Sequence, residues 1–102
     1  MALNELEKQS LKRALVDCLQ SEPEVCRIVV FGSFLSSDHP HDLDVAVFQD
    51  SAEGYLPLAL KYRRKARALA CRIALDILPL KLGAPSNPFL AEVEQGEVIY
   101  ER

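Results

Sequence analysis

Three cysteines, Cys18, Cys26 and Cys71, stand far apart in the 102-residue sequence, with no Cys-x-x-Cys and no histidine spaced to complete a zinc site. A disulfide framework and a structural zinc are therefore not expected. Scattered thiols in odd number suit a reducing compartment, and they are read as small apolar filler. No apolar run approaches the roughly 20 residues of a membrane span, and Met1 to Lys8 is charged and amphipathic, unlike a secretory signal. The chain is expected in the cytoplasm, away from membranes. Excess positive charge is also missing. The formal net charge is −3, which argues against wrapping nucleic acid over a broad surface and leaves room only for a local basic patch. There is no internal repeat, linker or low-complexity tract. The length suits one core and a single domain, 1–102, without a separate acceptor-binding domain.

What is present is an ordered alternation of elements. Leu11, Ala14, Leu15, Cys18 and Leu19 follow the i, i+3, i+4, i+7, i+8 spacing of a helical stripe, with Asn4 and Glu7 as a capping pair and Pro23 beyond its end. Arg27 to Phe31 (RIVVF) reads as a strand, Asp42 to Phe48 (DLDVAVF) as a second, and Arg72 to Leu78 (RIALDIL) as a third, any continuation of which Pro79 weakens. A longer helix begins near Tyr55, with Pro57 in its first turn and Tyr55, Ala59, Tyr62, Ala66, Leu69 and Ala70 as its core face. Its other faces carry Lys61, Arg63, Arg64, Lys65 and Arg67. Such a run is a solvated face or a contact for phosphates, RNA or an acidic partner. A last helix has Asn87 as cap, Pro88 first and Gly96 just past its end, and Val98 to Tyr100 would close the sheet. The fold class is α/β (α+β): a small mixed β-sheet with helices packed on it.

The chemistry concentrates between the first two strands. Gly32 marks a tight turn and a close backbone approach, and Ser33 offers a hydroxyl beside exposed N–H groups. Asp42 and Asp44, two apart on a strand, project to the same side. Asp-x-Asp alone is common as a polar strand end, but a strand, a Gly-Ser turn, a polar loop and an Asp-x-Asp entering an apolar strand form a much rarer whole. Two hard carboxylates suit Mg²⁺, which takes oxygen ligands and pairs one or two carboxylates with substrate phosphates. His39 and His41 flank Pro40 in the same loop and read as solvated, since Mg²⁺ prefers oxygen to imidazole.

Gly32, Ser33, Asp42 and Asp44 resemble the signature of the nucleotidyltransferase superfamily related to DNA polymerase beta, and the short length resembles its minimal nucleotidyltransferase (MNT) branch, similar to MntA-type antitoxins of HEPN/MNT pairs. The segment Asn87 to Glu101 resembles the closing helix and strand of such domains. By this resemblance Asp76 falls where the superfamily keeps a third carboxylate. The implied set is catalytic and metal-binding Asp42, Asp44 and Asp76, with Gly32 and Ser33 binding the nucleotide. The implied chemistry is Mg²⁺-dependent. Two Mg²⁺ between the acids and a nucleoside triphosphate, most simply ATP, would set up in-line attack of an acceptor hydroxyl on the α-phosphate with loss of pyrophosphate. The resemblance further implies an antitoxin working beside a HEPN-type protein partner, whose tyrosine receives AMP.

The sequence departs from the family pattern in two ways: the spacer between Ser33 and Asp42 is short, and Phe34 stands where many relatives carry a basic residue. They favour a second reading, a catalytically silent binding module that keeps the fold and masks a partner protein. A standalone enzyme acting on a small hydroxyl compound is a third, for which the chain has no evident acceptor pocket unless subunits build one by oligomerising.

Overall fold

The computed structural model describes residues 3–83 and 88–102. Among them the chain runs α1 (Glu5–Leu19), β1 (Val25–Phe31), α2 (Ser33–Ser36), β2 (Asp42–Gln49), α3 (Tyr55–Lys65), α4 (Arg67–Ala70), β3 (Ala74–Lys81), α5 (Pro88–Glu94) and β4 (Glu97–Glu101). The strands form one mixed sheet in the order β3-β2-β1-β4. β1 is antiparallel to β2 and β4, and β2 is parallel to β3.

α1 opens on a capping box in which the Glu7 N–H donates to Asn4 Oδ1 at 2.8 Å and the Asn4 N–H donates to Glu7 Oε1 at 3.3 Å. Its buried stripe is longer than the leucines indicate, because Lys8 and Lys12 lie in it beside Leu11, Leu15 and Leu19. Both lysines bury their stems and keep a polar end satisfied. Lys12 Nζ is 2.6 Å from Glu97, and Lys8 Nζ donates to the Ser37 carbonyl at 2.7 Å while lying over the Phe34 ring.

Strand alternation divides the sheet into two unequal faces. Ile28, Val30, Val45, Val47 and Ile77 face the main core, which α1, α3, α4 and Phe34 complete. Val29, Phe31 and Ala46 face the other way and are covered by Val93 of α5, while Phe48, Leu78 and Leu80 on that side are only partly buried. Asp44 is in phase with Ala46 and Phe48, and Asp76 with Leu78 and Leu80. The acids therefore sit on the thinly covered face.

Several expectations change. β3 starts at Ala74 and runs through Pro79 to Lys81. Pro79 is tolerated because β3 is an edge strand, where a missing N–H need not interrupt a ladder on both sides. The long helix breaks at Ala66, and of its expected core face Tyr55 and Ala70 are exposed while Leu58 joins the interior. Cys71 is exposed rather than buried, and Cys18 and Cys26 are only partly covered. The Asn87 cap lies outside the described residues.

Tyr62 carries a polar anchor into the core. Fully buried, it donates through its hydroxyl to Glu24 at 2.8 Å, and Lys61 Nζ lies 2.9 Å from the same carboxylate. Burial pushes the Glu24 pKa up, but the hydrogen bonds from Lys61 and Tyr62 overcome it, and the net shift is downward. Ionised Glu24 thus contributes stability that is complete above its ordinary value of 4.5 and is lost as pH falls through the lower folded value. Tyr62→Phe is expected to cost about 1.5 kcal/mol at neutral pH. Urea unfolding should show that cost shrinking as pH falls through the lowered Glu24 value and the carboxylate takes up its proton.

Candidate active site

β1 ends at Phe31, whose register partner on β2 is Asp44. Gly32 follows with φ +81, a left-handed conformation that strains any residue with a Cβ. A Cβ at that position would also lie 2.7 Å from Asp44 Oδ2. Glycine here both turns the chain and admits the carboxylate against the backbone. Gly32→Ala is accordingly expected to cost about 1–2 kcal/mol in backbone strain and to push the Asp44 side chain from its place. Thermal unfolding would register the first effect.

The turn and loop expected after Gly32 begin as one turn of helix. The Leu35 N–H donates to the Gly32 carbonyl at 3.2 Å and the Ser37 N–H to the Ser33 carbonyl at 2.8 Å. Ser33 is exposed on this turn, whereas Phe34 is 0% exposed and points into the main core. Phe34 is thus a packing residue of the turn, not a side chain standing in the site. The loop onward to Asp42 is tied to α1 by Lys8 on Ser37 and by the Leu3 N–H, which donates to the Asp38 carbonyl at 2.9 Å. His39 and His41 are exposed along it.

Asp42 and Asp44 lie on one side of β2, and Asp76 is the register partner of Asp44 on the neighbouring parallel strand, about 4.8 Å away. Asp42 and Asp76 are exposed and Asp44 is half-buried. Burial raises the Asp44 pKa first, and the charges of Asp76, Asp42 and Glu92 raise it further. Among the described residues no lysine or arginine forms an ion pair with any of these four acids. The fold thus gathers negative charge in one place and brings no cation of its own to it. That donor set fits a hard divalent ion. Among the described residues no three or more acidic, histidine or cysteine side chains close around an ion unaided. One or two carboxylates with the remaining positions left to substrate and water is the arrangement Mg²⁺ commonly adopts.

Two residues of this region were not singled out by sequence reasoning. Lys8 had a signal, since a lysine three and four residues ahead of Leu11 and Lys12 continues the buried stripe. Glu92 had none: its nearness to Asp44 arises only because α5 crosses to the second face of the sheet and docks there through Val93. A groove of about 750 Å³ between α1 and β4 is lined by Leu6, Lys12 and Val98 among others and is not lined by any of the four acids.

Comparison with known proteins places this geometry. A family model described as polymerase beta, nucleotidyltransferase, matches residues 13–102. No curated protein matches the sequence. Solved structures of similar fold include the toxin–antitoxin complex MntA–HepT, with 19% identity, 92% of this chain and 73% of that chain covered, and a TM-score of 0.61. Another is a tri-AMPylated HEPN toxin of Shewanella oneidensis in complex with MNT antitoxin, with 20% identity, 93% and 73% coverage and a TM-score of 0.63. A third is a toxin–antitoxin with AMP-PNP, with 20% identity, 89% and 73% coverage and a TM-score of 0.64. The match over nearly the whole sequence, on a sheet that sets Asp42 and Asp44 beside Gly32 and Ser33, means that this chain belongs to the polymerase beta nucleotidyltransferase family.

Proposed function

We propose that the protein transfers a nucleoside monophosphate, AMP from ATP, to a hydroxyl acceptor. The observation that carries this reading is the unpaired carboxylate cluster around Asp44, set directly against the Gly32 backbone. Asp42 and Asp44 would hold Mg²⁺, with Asp76 on the side of the acceptor. When bound, Mg²⁺ neutralises phosphate charge and favours the ionised acceptor hydroxyl. Ser33 and the first N–H groups of α2 bind the β- and γ-phosphates at the end of β1. The acceptor oxygen bonds to the α-phosphorus, the bond to the bridging oxygen breaks, pyrophosphate leaves, and the hydroxyl proton passes to water.

The acceptor in this reading is a tyrosine of a HEPN-type partner, and the protein is its antitoxin, acting in the cytoplasm. Support comes from the similar folds, the MntA–HepT toxin–antitoxin complex and an MNT antitoxin in complex with a tri-AMPylated HEPN toxin. The test is transfer from α-phosphate-labelled ATP into a cytoplasmic extract of the source organism, with the Asp42→Asn/Asp44→Asn protein as control. Mg²⁺-dependent label on one protein band, absent with the double variant, is the expected result. Label on RNA would overturn the acceptor. No label above the control would overturn the enzyme in favour of a silent binding module.

A further inference from the structure

The five basic residues of the 61–67 segment separate into two groups. Lys61 is held 2.9 Å from Glu24 and 3.5 Å from Glu53, and Lys65 is 3.3 Å from Glu22. Both are spent on ion pairs with neighbouring elements. Arg63, Arg64 and Arg67 are exposed, and among the described residues none of them has an ion pair.

These three arginines share a face with two exposed leucines. Leu58, Ala59 and Tyr62 turn inward, so positions 56, 60, 63 and 64 follow one outward stripe of α3 at i, i+4, i+7 and i+8, and Arg67 is exposed at the start of α4, just past the break at Ala66. Leu56 is 65% exposed and Leu60 51% exposed. The stripe on α3 is about 12 Å long, apolar in its first half and cationic in its second. Scattered single leucines on a surface need no explanation. Two leucines one turn apart, continued on α3 by Arg63 and Arg64 and past the break by Arg67, give the spacing by which one helix packs on another.

We infer that this outer face of α3 and α4 is a docking surface for an acidic amphipathic helix of a protein partner. Its leucines would pack on Leu56 and Leu60, and its carboxylates would meet Arg63, Arg64 and Arg67. Arginine suits that role, since its planar fork binds carboxylates in bidentate fashion and is weakly hydrated. Charge complementarity selects the occupant. The apolar half of the stripe offers a phosphate backbone nothing, and the rest of the surface is that of a chain with net charge −3. The inference needs no catalysis by the protein, so it stands apart from the proposed transfer.

Fluorescence anisotropy against the full chain tests it, using a labelled helical peptide with leucines four apart followed by glutamates at the next three positions of the same stripe. A peptide of the same composition in scrambled order and a single-stranded RNA are the comparison probes. Saturable binding of the ordered peptide is expected, weakened at least tenfold by Arg64→Glu/Arg67→Glu and several-fold by Leu60→Ser. Arg13→Glu on α1 should leave it unmoved. A peptide with lysines in place of glutamates should regain binding to the Arg64→Glu/Arg67→Glu protein. All the substituted residues are exposed, so unchanged thermal unfolding of each variant is the check on folding. Equal binding of the scrambled peptide, absence of binding, or tighter binding of the RNA lost through the same arginines would each overturn the inference. So would a dimer in sedimentation that Leu60→Ser dissolves, since the occupant would then be a second copy.

Discussion

Asp44→Asn is expected to lower nucleotidyl transfer by about 10³-fold or more, the scale of losing a group that holds transition-state charge, while raising the thermal stability of the free protein. The two effects have one cause. Asp44 is half-buried among Asp42, Asp76 and Glu92, and no cation of the described chain answers them. Its folded pKa is above the ordinary 3.8, so the folded state holds the proton more tightly than the unfolded chain does. The stability tied to that proton is complete below 3.8 and declines as pH rises through the folded value, and at neutral pH the whole penalty is carried. Asparagine has no charge to desolvate or repel. Calorimetry should therefore find the variant unfolding at higher temperature than the wild type at pH 7, with the difference vanishing in acid. Mg²⁺ should reverse the order: at ten times its Kd a bound ion adds about 1.4 kcal/mol to the wild type and little to the variant. A variant less stable than the wild type at pH 7 without metal would show that Asp44 is a structural residue held by a partner.

Glu24 and Asp44 show why a carboxylate's role is hard to read from its neighbours in sequence. Both are acids in or beside apolar strands. Glu24 has its pKa lowered by Lys61 and Tyr62, which arrive from α3 about forty residues later and are satisfied only in the folded state. Asp44 is raised by acids from β2, β3 and α5. The strands, the capping box of α1, the Gly32 turn and the Asp-x-Asp pair were legible because each rests on local spacing and on residue types with strong backbone preferences. The pairing of Asp44 with Asp76 was legible only through the family resemblance, since it depends on the parallel register of β2 and β3. What was not legible is tertiary. Pro79 continues β3 because that strand lies at an edge, Phe34 turns inward because α2 is a helical turn over the main core, and the basic run divides because Glu22, Glu24 and Glu53 claim only two of its members.

Gly96→Ala is expected to be the most destabilising single-methyl change in the chain. Gly96 does not have a positive φ, and its constraint is space: a Cβ there would lie 2.4 Å from the Val30 carbonyl oxygen, 2.8 Å from Val29 Cγ1 and 3.0 Å from Phe31 Cβ. The nearest atom belongs to the backbone of β1, which is bonded to β2 on one side and β4 on the other and has nowhere to move. The turn between α5 and β4 must yield instead. Overpacking of this kind costs about 2–3 kcal/mol, roughly 10–20 °C in Tm for a domain of this size. Gly54→Ala is the matching control. Its Cβ would meet only Pro57 Cδ at an ordinary 3.7 Å, and the gain of about 0.4–1 kcal/mol from stiffening the unfolded chain is offset by placing alanine at the N-cap of α3, so a net change of less than about 1 kcal/mol is expected. Transfer activity then separates the two layers of the argument. Lifting α5 withdraws Val93 from Val29, Phe31 and Ala46 and carries Glu92 away from Asp44, but it leaves Asp42, Asp44 and Asp76 on their strands. Gly96→Ala measured well below its Tm should therefore keep far more activity than Asp44→Asn despite being much less stable. An activity loss as deep as that of Asp44→Asn would mean that α5 is part of the catalytic apparatus, not only the cover of the second face.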